Sequence, residues 1–262
     1  RGGQQRQEAK VEMTGTLTHI WRHPIKSHGS EALEKVTVKA GTTLPWDRTW
    51  AVAHEQAKLE SGWSPCQNFS RCAKAPGLMA IKSALDEAAG TLTLSHPTRP
   101  ELTFRPDDPA DQPRFLEWVA PLMPKDRAGS ERILRIDTRG MTDTDYASIS
   151  LGNLASLRAL SQRVGTTLDP RRFRINLWID ELAPWEEFDW VGHEITLGPV
   201  RFRVEEPIQR CMATTANPDT GHRDADTLGA LEAGWGHRNF GIYRTALIDG
   251  ELTCGNMLED TP

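Results

Sequence analysis

Four cysteines punctuate the chain, Cys66, Cys72, Cys211 and Cys254, and Cys211 has the most suggestive surroundings, the stretch IQRCMATTANPDTG at 208–221. An arginine directly before a thiol favours the thiolate, the form that attacks electrophiles or ligates soft metals. The two threonine hydroxyls, the Asn-Pro break and the turn at Gly221 that follow belong to a loop rather than a strand. Free cysteine is also among the most buried residue types. On these residues alone Cys211 is open to both readings, buried filler or reactive group. Cys66 and Cys72 have five residues between them and no C-x-x-C pair exists. Zinc ribbons, thioredoxin-like motifs and ferredoxin-type clusters therefore lack their ligand spacing, and the two read as unpaired thiols in a reducing compartment.

A second set of residues suits an anion. Lys26 with Ser27 in HPIKSHG, Arg48 in PWDRTW, Arg172 and Arg174 in RRFRIN, and Arg210 beside Cys211 all fall at turns or strand ends. Lysine supplies a point charge, serine a donor hydroxyl, and arginine a forked pair of donors for phosphate oxygens. Across 262 residues the net charge is −5, with 26% charged and 38% hydrophobic residues. That balance lacks the basic excess of a nucleic-acid binder, so any bound anion depends on local cations. No apolar run approaches the roughly 20 residues of a membrane span, and no membrane insertion is expected. The polar start RGGQQRQEAKVEM lacks the apolar core of a signal peptide. Residues 1–12 read as a leader or tag before Met13, and a cytoplasmic protein is expected.

The elements that must position these residues are mostly short strands. GTLTHIWRHP, KVTVKAGT, RTWAVAHE, LMAIKSA, GTLTLSHP and LTFRPDD alternate with period two between Gly and Pro breaks, which predicts an antiparallel sheet or barrel. Helical spacing predicts one helix with Phe115, Trp118, Val119 and Leu122 on a face. A second carries Leu154, Leu157, Leu160 and Val164 and is capped at Gly165. RFRINLWID, HEITLGPVRFRVEE and a terminal hairpin IYRTALIDGELTCGN, turning at Asp249-Gly250, follow. The nine tryptophans read as core and rim packing in β domains. The chain is thus mainly β with a few helices (α+β), and the polar, turn-rich stretch at 125–145 marks a division.

HPIKS, WDRTWAV, RRFRIN, RCMATTANPDTG and NFGIY, in this order from Gly15 to Met257, resemble the MOSC-domain proteins that carry an N-terminal MOSC β-barrel domain, similar to the mitochondrial amidoxime reducing component family. The resemblance implies a smaller N-terminal MOSC β-barrel-like domain at 13–130 and a MOSC β-barrel domain at 131–262, with the first strand (13–30) free to pack with the latter. It implies a molybdenum cofactor (Mo-molybdopterin) whose metal is ligated by the catalytic Cys211, a soft ligand suited to that metal. The family's phosphate contacts map onto Lys26, Ser27 and Arg48. Its pterin contacts map onto Arg174 and Asn176, with Ile175 replacing a usual proline, and onto Gln209 and Arg210. Contacts from YASIS map onto Ala147 and Ser148, again with a proline replaced, by Ile149. Asn68 and Arg71 lie in a segment that corresponds only roughly.

The activity so implied is reduction of small N-hydroxylated compounds to amines. A separate electron-donor protein would supply the reducing equivalents: a ferredoxin, a flavodoxin or a cytochrome b5-like protein with its reductase. Asp219, His222 and His237 are proton-donor candidates by location. Two other functions share the same cysteine: sulfur transfer through a persulfide on Cys211, and non-catalytic carriage of the cofactor.

Overall fold

The computed structural model describes residues 15–60, 62–136 and 139–260; the leader expected at 1–12 and Met13 lie outside them. Seven strands close into a barrel. They are β1 (Gly15–Arg22) and, counting every strand along the chain, β9 (Ile149–Asn153), β10 (Leu177–Asp180), β11 (Glu194–Leu197), β12 (Val200–Gln209), β13 (Asn239–Ala246) and β15 (Met257–Asp260). The ring runs β10-β9-β13-β12-β11-β15-β1 and is sealed by the β1–β10 pair, with β2 (Glu31–Leu33) hydrogen-bonded outside β1. One pair is parallel, β9 with β10, and the helix α2 (Leu154–Val164) makes the crossover such a pair needs. Closure leaves the ring no exposed edge.

Period two explains the filling. Ile149 and Leu151, Phe202 and Val204, and Ile242 and Ala246 keep that period and point inward to one apolar cluster, which Leu17 and Ile20 join across the irregularity between Leu17 and His19. In β12 the pattern slips twice, between Val204 and Glu206 and between Pro207 and Gln209. Such bulges bend a strand and re-aim its side chains, here just ahead of Cys211.

The remaining strands form a second unit with its own core. β4 (Trp50–His54) pairs with β8 (Ser130–Arg135), and β5 (Lys82–Asp86), β6 (Thr91–His96) and β7 (Arg99–Phe104) make a three-stranded sheet. By strand pairing this unit extends through Arg135. The helix α1 (Gln112–Val119) packs Phe115, Trp118 and Val119 against it, as its spacing predicts, with Leu122 half-buried in the next turn. The capping of α2 also follows the sequence: Asn153 accepts from the Ala155 amide, and Gly165 ends the helix in a left-handed conformation. A third helix, α3 (Thr227–Trp235), packs on α2.

The terminal hairpin is not formed. β14 (Gly250–Thr253) pairs instead with β3 (Lys35–Val38). Both edges of β13 are already taken, by β12 and β9, so the chain turns at Asp249-Gly250 and must find another partner. Of the tryptophans, Trp50, Trp118, Trp178 and Trp190 are core residues, and Trp63 alone lines the cleft described next.

Candidate cofactor cleft

A cavity of about 610 Å³ lies between the barrel and the second unit. From one side come Lys26, Ser27, Arg48 and Cys72, from another Arg174 and Arg210, and from the end of β12 Gln209 and Cys211. Thus six of the residues proposed from sequence as cofactor contacts, Lys26, Ser27, Arg48, Arg174, Gln209 and Arg210, share one cleft with Cys211. Three do not face it. Ser148 and Asn176 line a much smaller cavity beside it, and Ala147 lines neither. Asn176 is committed elsewhere: its side-chain oxygen accepts from Ser150 Oγ at 2.8 Å and its Nδ2 donates to the Trp21 carbonyl at 3.1 Å, tying β9 to β1.

The loop that presents Cys211 is held by its neighbours. Arg210 donates through Nε and Nη2 to the Phe240 carbonyl (2.8 and 2.6 Å) and through Nη1 to the Phe173 carbonyl (2.8 Å). Burial pushes this guanidinium down to about 10. Gly241 makes room for it: at φ +71° a Cβ there would stand 2.5 Å from the Leu151 carbonyl oxygen and 3.4 Å from Arg210 Nη2. Cys211 itself is exposed and opens a short 3-10 turn, Met212–Thr215. The Thr214 hydroxyl bonds with the Cys211 carbonyl and with Thr227. The loop then rests on the second unit, where a Cβ at Gly221 would stand 2.7 Å from the Gly77 Cα. The threonines therefore build the loop, a role that residue type alone does not reveal.

At the cationic end the backbone is strained. Ser27, Arg48 and Arg174 have φ of 66°, 54° and 50°, a region costing a non-glycine residue about 1–2 kcal/mol. Arg48 pairs with Asp47 and donates to the Arg174 carbonyl at 2.9 Å. Burial would raise the Asp47 carboxyl, but Arg48 and His23 hold it below the ordinary range. His23 is driven down to about 3 by burial and by the charges of Arg174 and Arg48, so it stays neutral. Lys26 is buried and donates to the Met141 carbonyl (2.9 Å) and to Asp143 (2.5 Å). Arg174 gives one nitrogen to the Gly29 carbonyl at 3.0 Å, while its Nη2 is buried without a partner. An orphaned guanidinium nitrogen in a polar cleft marks a place for an anionic oxygen.

Several lining residues carry no signal in the sequence. Asp143 and Tyr146 come from the segment at 139–148, which Arg139 folds by donating to the carbonyls of Thr144, Asp145 and Tyr146. Tyr243 and Glu206 come from neighbouring positions on β13 and β12. Cys66 and Cys72 also line the cleft. All four cysteines are free; Cys72 donates to the Ser27 carbonyl, and burial pushes it up to about 11. Arg71 lines the cleft and donates to Cys66 Sγ at 3.1 Å, whereas Asn68 is bonded within its own loop. The proton-donor candidates Asp219, His222 and His237 are all outside: Asp219 pairs with Arg171, His222 is exposed, and His237 lies edge-on to Phe188. Among the described residues no group of three His, Cys, Asp or Glu could hold a metal. None of their helices is long and apolar enough to cross a membrane.

The closed barrel thus sets a loop cysteine and several cationic side chains around one cleft. The chain belongs to the MOSC family: residues 139–259 match the MOSC domain and residues 14–145 the MOSC N-terminal beta barrel domain. It is 35% identical over 147 residues to a molybdenum cofactor sulfurase of Drosophila willistoni, covering 49% of this chain and 18% of that one. It is 25% identical over 289 aligned positions to molybdenum cofactor sulfurase 2 of Culex quinquefasciatus, covering 93% of this chain and 36% of the relative. The match thus spans about a fifth to a third of these relatives. The YUAD protein of Bacillus subtilis superposes with a TM-score of 0.47 at 12% identity, covering 96% of this chain and 98% of that one.

Proposed function

We propose that the cleft binds the molybdenum cofactor, with its phosphate toward Lys26, Ser27 and Arg48, its pterin toward Arg174 and its metal on the thiolate of Cys211. We further propose that the chain is an oxidoreductase that reduces N-hydroxylated compounds to amines. The observation that carries the reading is that Arg174, whose Nη2 is buried without a partner, lines the same cleft that Cys211 enters. Bound there, the cofactor would supply the two-electron chemistry that removes an oxygen from nitrogen.

The chain's own residues divide the remaining work. Arg210 fixes the loop that aims Cys211, since its three bonded nitrogens all serve carbonyls. Lys26 offers charge to a phosphate by exchanging Asp143, the exposed partner of the pair, for it. Arg174 Nη2, already without a partner, needs no exchange. Gln209, exposed at the end of β12, lines the cleft together with Cys211. The electrons would come from a separate donor protein in the cytoplasm, reaching the cleft on the side where Cys211 is exposed.

Sulfur transfer is the second reading, because the relatives carry the name sulfurase and an exposed thiol can carry a persulfide. One experiment separates them. Purified from a host that makes the cofactor, the protein should contain molybdenum and pterin and reduce a hydroxylamine with a chemical reductant. Cys211→Ser should lose most of the metal, and Arg174→Leu should lose both metal and pterin. Wild-type protein with neither molybdenum nor pterin overturns the reading; sulfane sulfur on a metal-free Cys211 replaces it with sulfur transfer.

A further inference from the structure

The chain has two tyrosines, and both line the cleft. They are held differently. The Tyr146 hydroxyl donates to Glu206 Oε1 at 2.7 Å, whereas among the described residues no protein group bonds to the Tyr243 hydroxyl. Tyr243 sits on β13 between Ser150 of β9 and Glu206 of β12. Its neighbours Ile242 and Arg244 are fully buried, so strand alternation turns the phenol out of the barrel and into the cleft. There it lines the same cavity as Asp143, Arg210, Arg48 and Glu206.

Tyr243 also walls the small second cavity, together with Arg48, Asp143, Ser148, Ser150 and Asn176. At about 10 Å³ this space is near the size of one water, and hydroxyl, amide and charged groups surround it, which is what an ordered water requires. Ser148 accepts there from Thr144 Oγ1 at 2.8 Å, and Thr144 lines the cleft. The phenol thus stands between the reaction space and a one-water pocket with a hydroxyl path back to the cleft.

We infer that Tyr243 is the catalytic acid of the cleft, donating its proton to the oxygen that leaves the substrate nitrogen and recovering one from a water in the small cavity. The inference rests on the reductase reading. The balance is R–NHOH plus two electrons and two protons giving R–NH2 and water. The N–O bond breaks, the electron pair comes from the reduced molybdenum cofactor, one proton passes from Tyr243 Oη to the departing oxygen, and solvent supplies the other to nitrogen. The resulting phenolate is flanked by Arg48 and Arg210. Burial, with Asp143 and Glu206 nearby, raises the phenol above its ordinary value, so it carries its proton at neutral pH. The two carboxylates are engaged as acceptors, Asp143 from Lys26 and Glu206 from Tyr146. Tyr243 keeps a free donor.

The test is Tyr243→Phe in the cofactor-loaded protein. Molybdenum and pterin content should match wild type, KM should stay within about twofold, and kcat should fall roughly 100-fold or more. A crystal structure of the wild-type protein should show a water in the small cavity within hydrogen-bond reach of Tyr243 Oη; a dry cavity overturns the return path. Loaded wild-type protein that reduces no N-hydroxy compound removes the reductase reading and this inference with it. An active wild type with an equally active, equally loaded Tyr243→Phe removes this inference alone. If the variant does not load, replacing both tyrosines with 3,5-difluorotyrosine, a stronger acid, should move the alkaline limb of the kcat profile to lower pH. An unmoved profile overturns the assignment.

Discussion

The interior of the barrel and the cleft beside it are built on opposite principles, although they share strands. Inside, Leu17, Ile149, Phe202 and Ile242 fill the space with apolar side chains in relaxed strand geometry. Arg244 is the exception, fully buried with three nitrogens unpartnered and its guanidinium 4.2 Å from the centre of the Phe202 ring. Outside, Ser27, Arg48 and Arg174 hold left-handed backbones, and the two arginines carry half-buried charge. Each of those features opposes folding, and the barrel's apolar burial must offset them. The difference separates residues that keep the protein folded from residues that the fold forces into place.

The largest effect should come from within the barrel. Phe202→Ala removes core volume and the ring under Arg244, and should cost about 3–5 kcal/mol in denaturant unfolding, while cofactor content per folded molecule stays unchanged. A selective loss of cofactor would show that barrel and cleft are not separable in this way.

Glu187 tests the boundary between the two regimes, because it is a buried carboxyl outside the cleft. Its Oε2 accepts from Asn153 and Ser156, its Oε1 has no partner, and burial raises it to about 7. An unfolded glutamate ionises near 4.5, so the folded state binds the proton more tightly. The stability this adds is fully present below about pH 4.5 and is lost as pH rises through about 7. Glu187→Gln, which cannot ionise, should therefore gain on the order of 2 kcal/mol over wild type above neutrality, with the gain shrinking in acid. A gain independent of pH would exclude titration as its cause.

The smallest effect concerns strain. Ser27→Gly should raise the melting temperature, by the equivalent of about 1 kcal/mol or less, while weakening cofactor retention through loss of the hydroxyl. If stability falls instead, the left-handed turn is held by packing and is not strained.

Much of this architecture is legible in the residues themselves. Alternation in β1 and β3, the stripes of α1 and α2, and the Gly165 cap are local patterns, and the fold follows them. Cys211 and the cations at turns stand out because their residue types carry chemistry. Tyr243 does not, since its meaning comes from β13 lying between β9 and β12, a fact of barrel closure. Asn176 misleads for the converse reason: its chemistry suits a ligand, but its position between β9 and β1 gives it a backbone to hold. The expected terminal hairpin fails because a good turn signal says nothing about whether the preceding strand has a free edge.

The seal between β1 and its partners has a consequence in time. Thr16 pairs with Asp180 on one side and Met257 on the other, so the first strand of the barrel meets neighbours about 160 and 240 residues away in sequence. Contacts that distant form late, because long loops must close before they contribute. During synthesis the unit from β4 to β8 can assemble while β1 waits without either of its barrel neighbours. The cleft between them is complete only when β12 and β13 bring Gln209, Cys211 and Tyr243 to it.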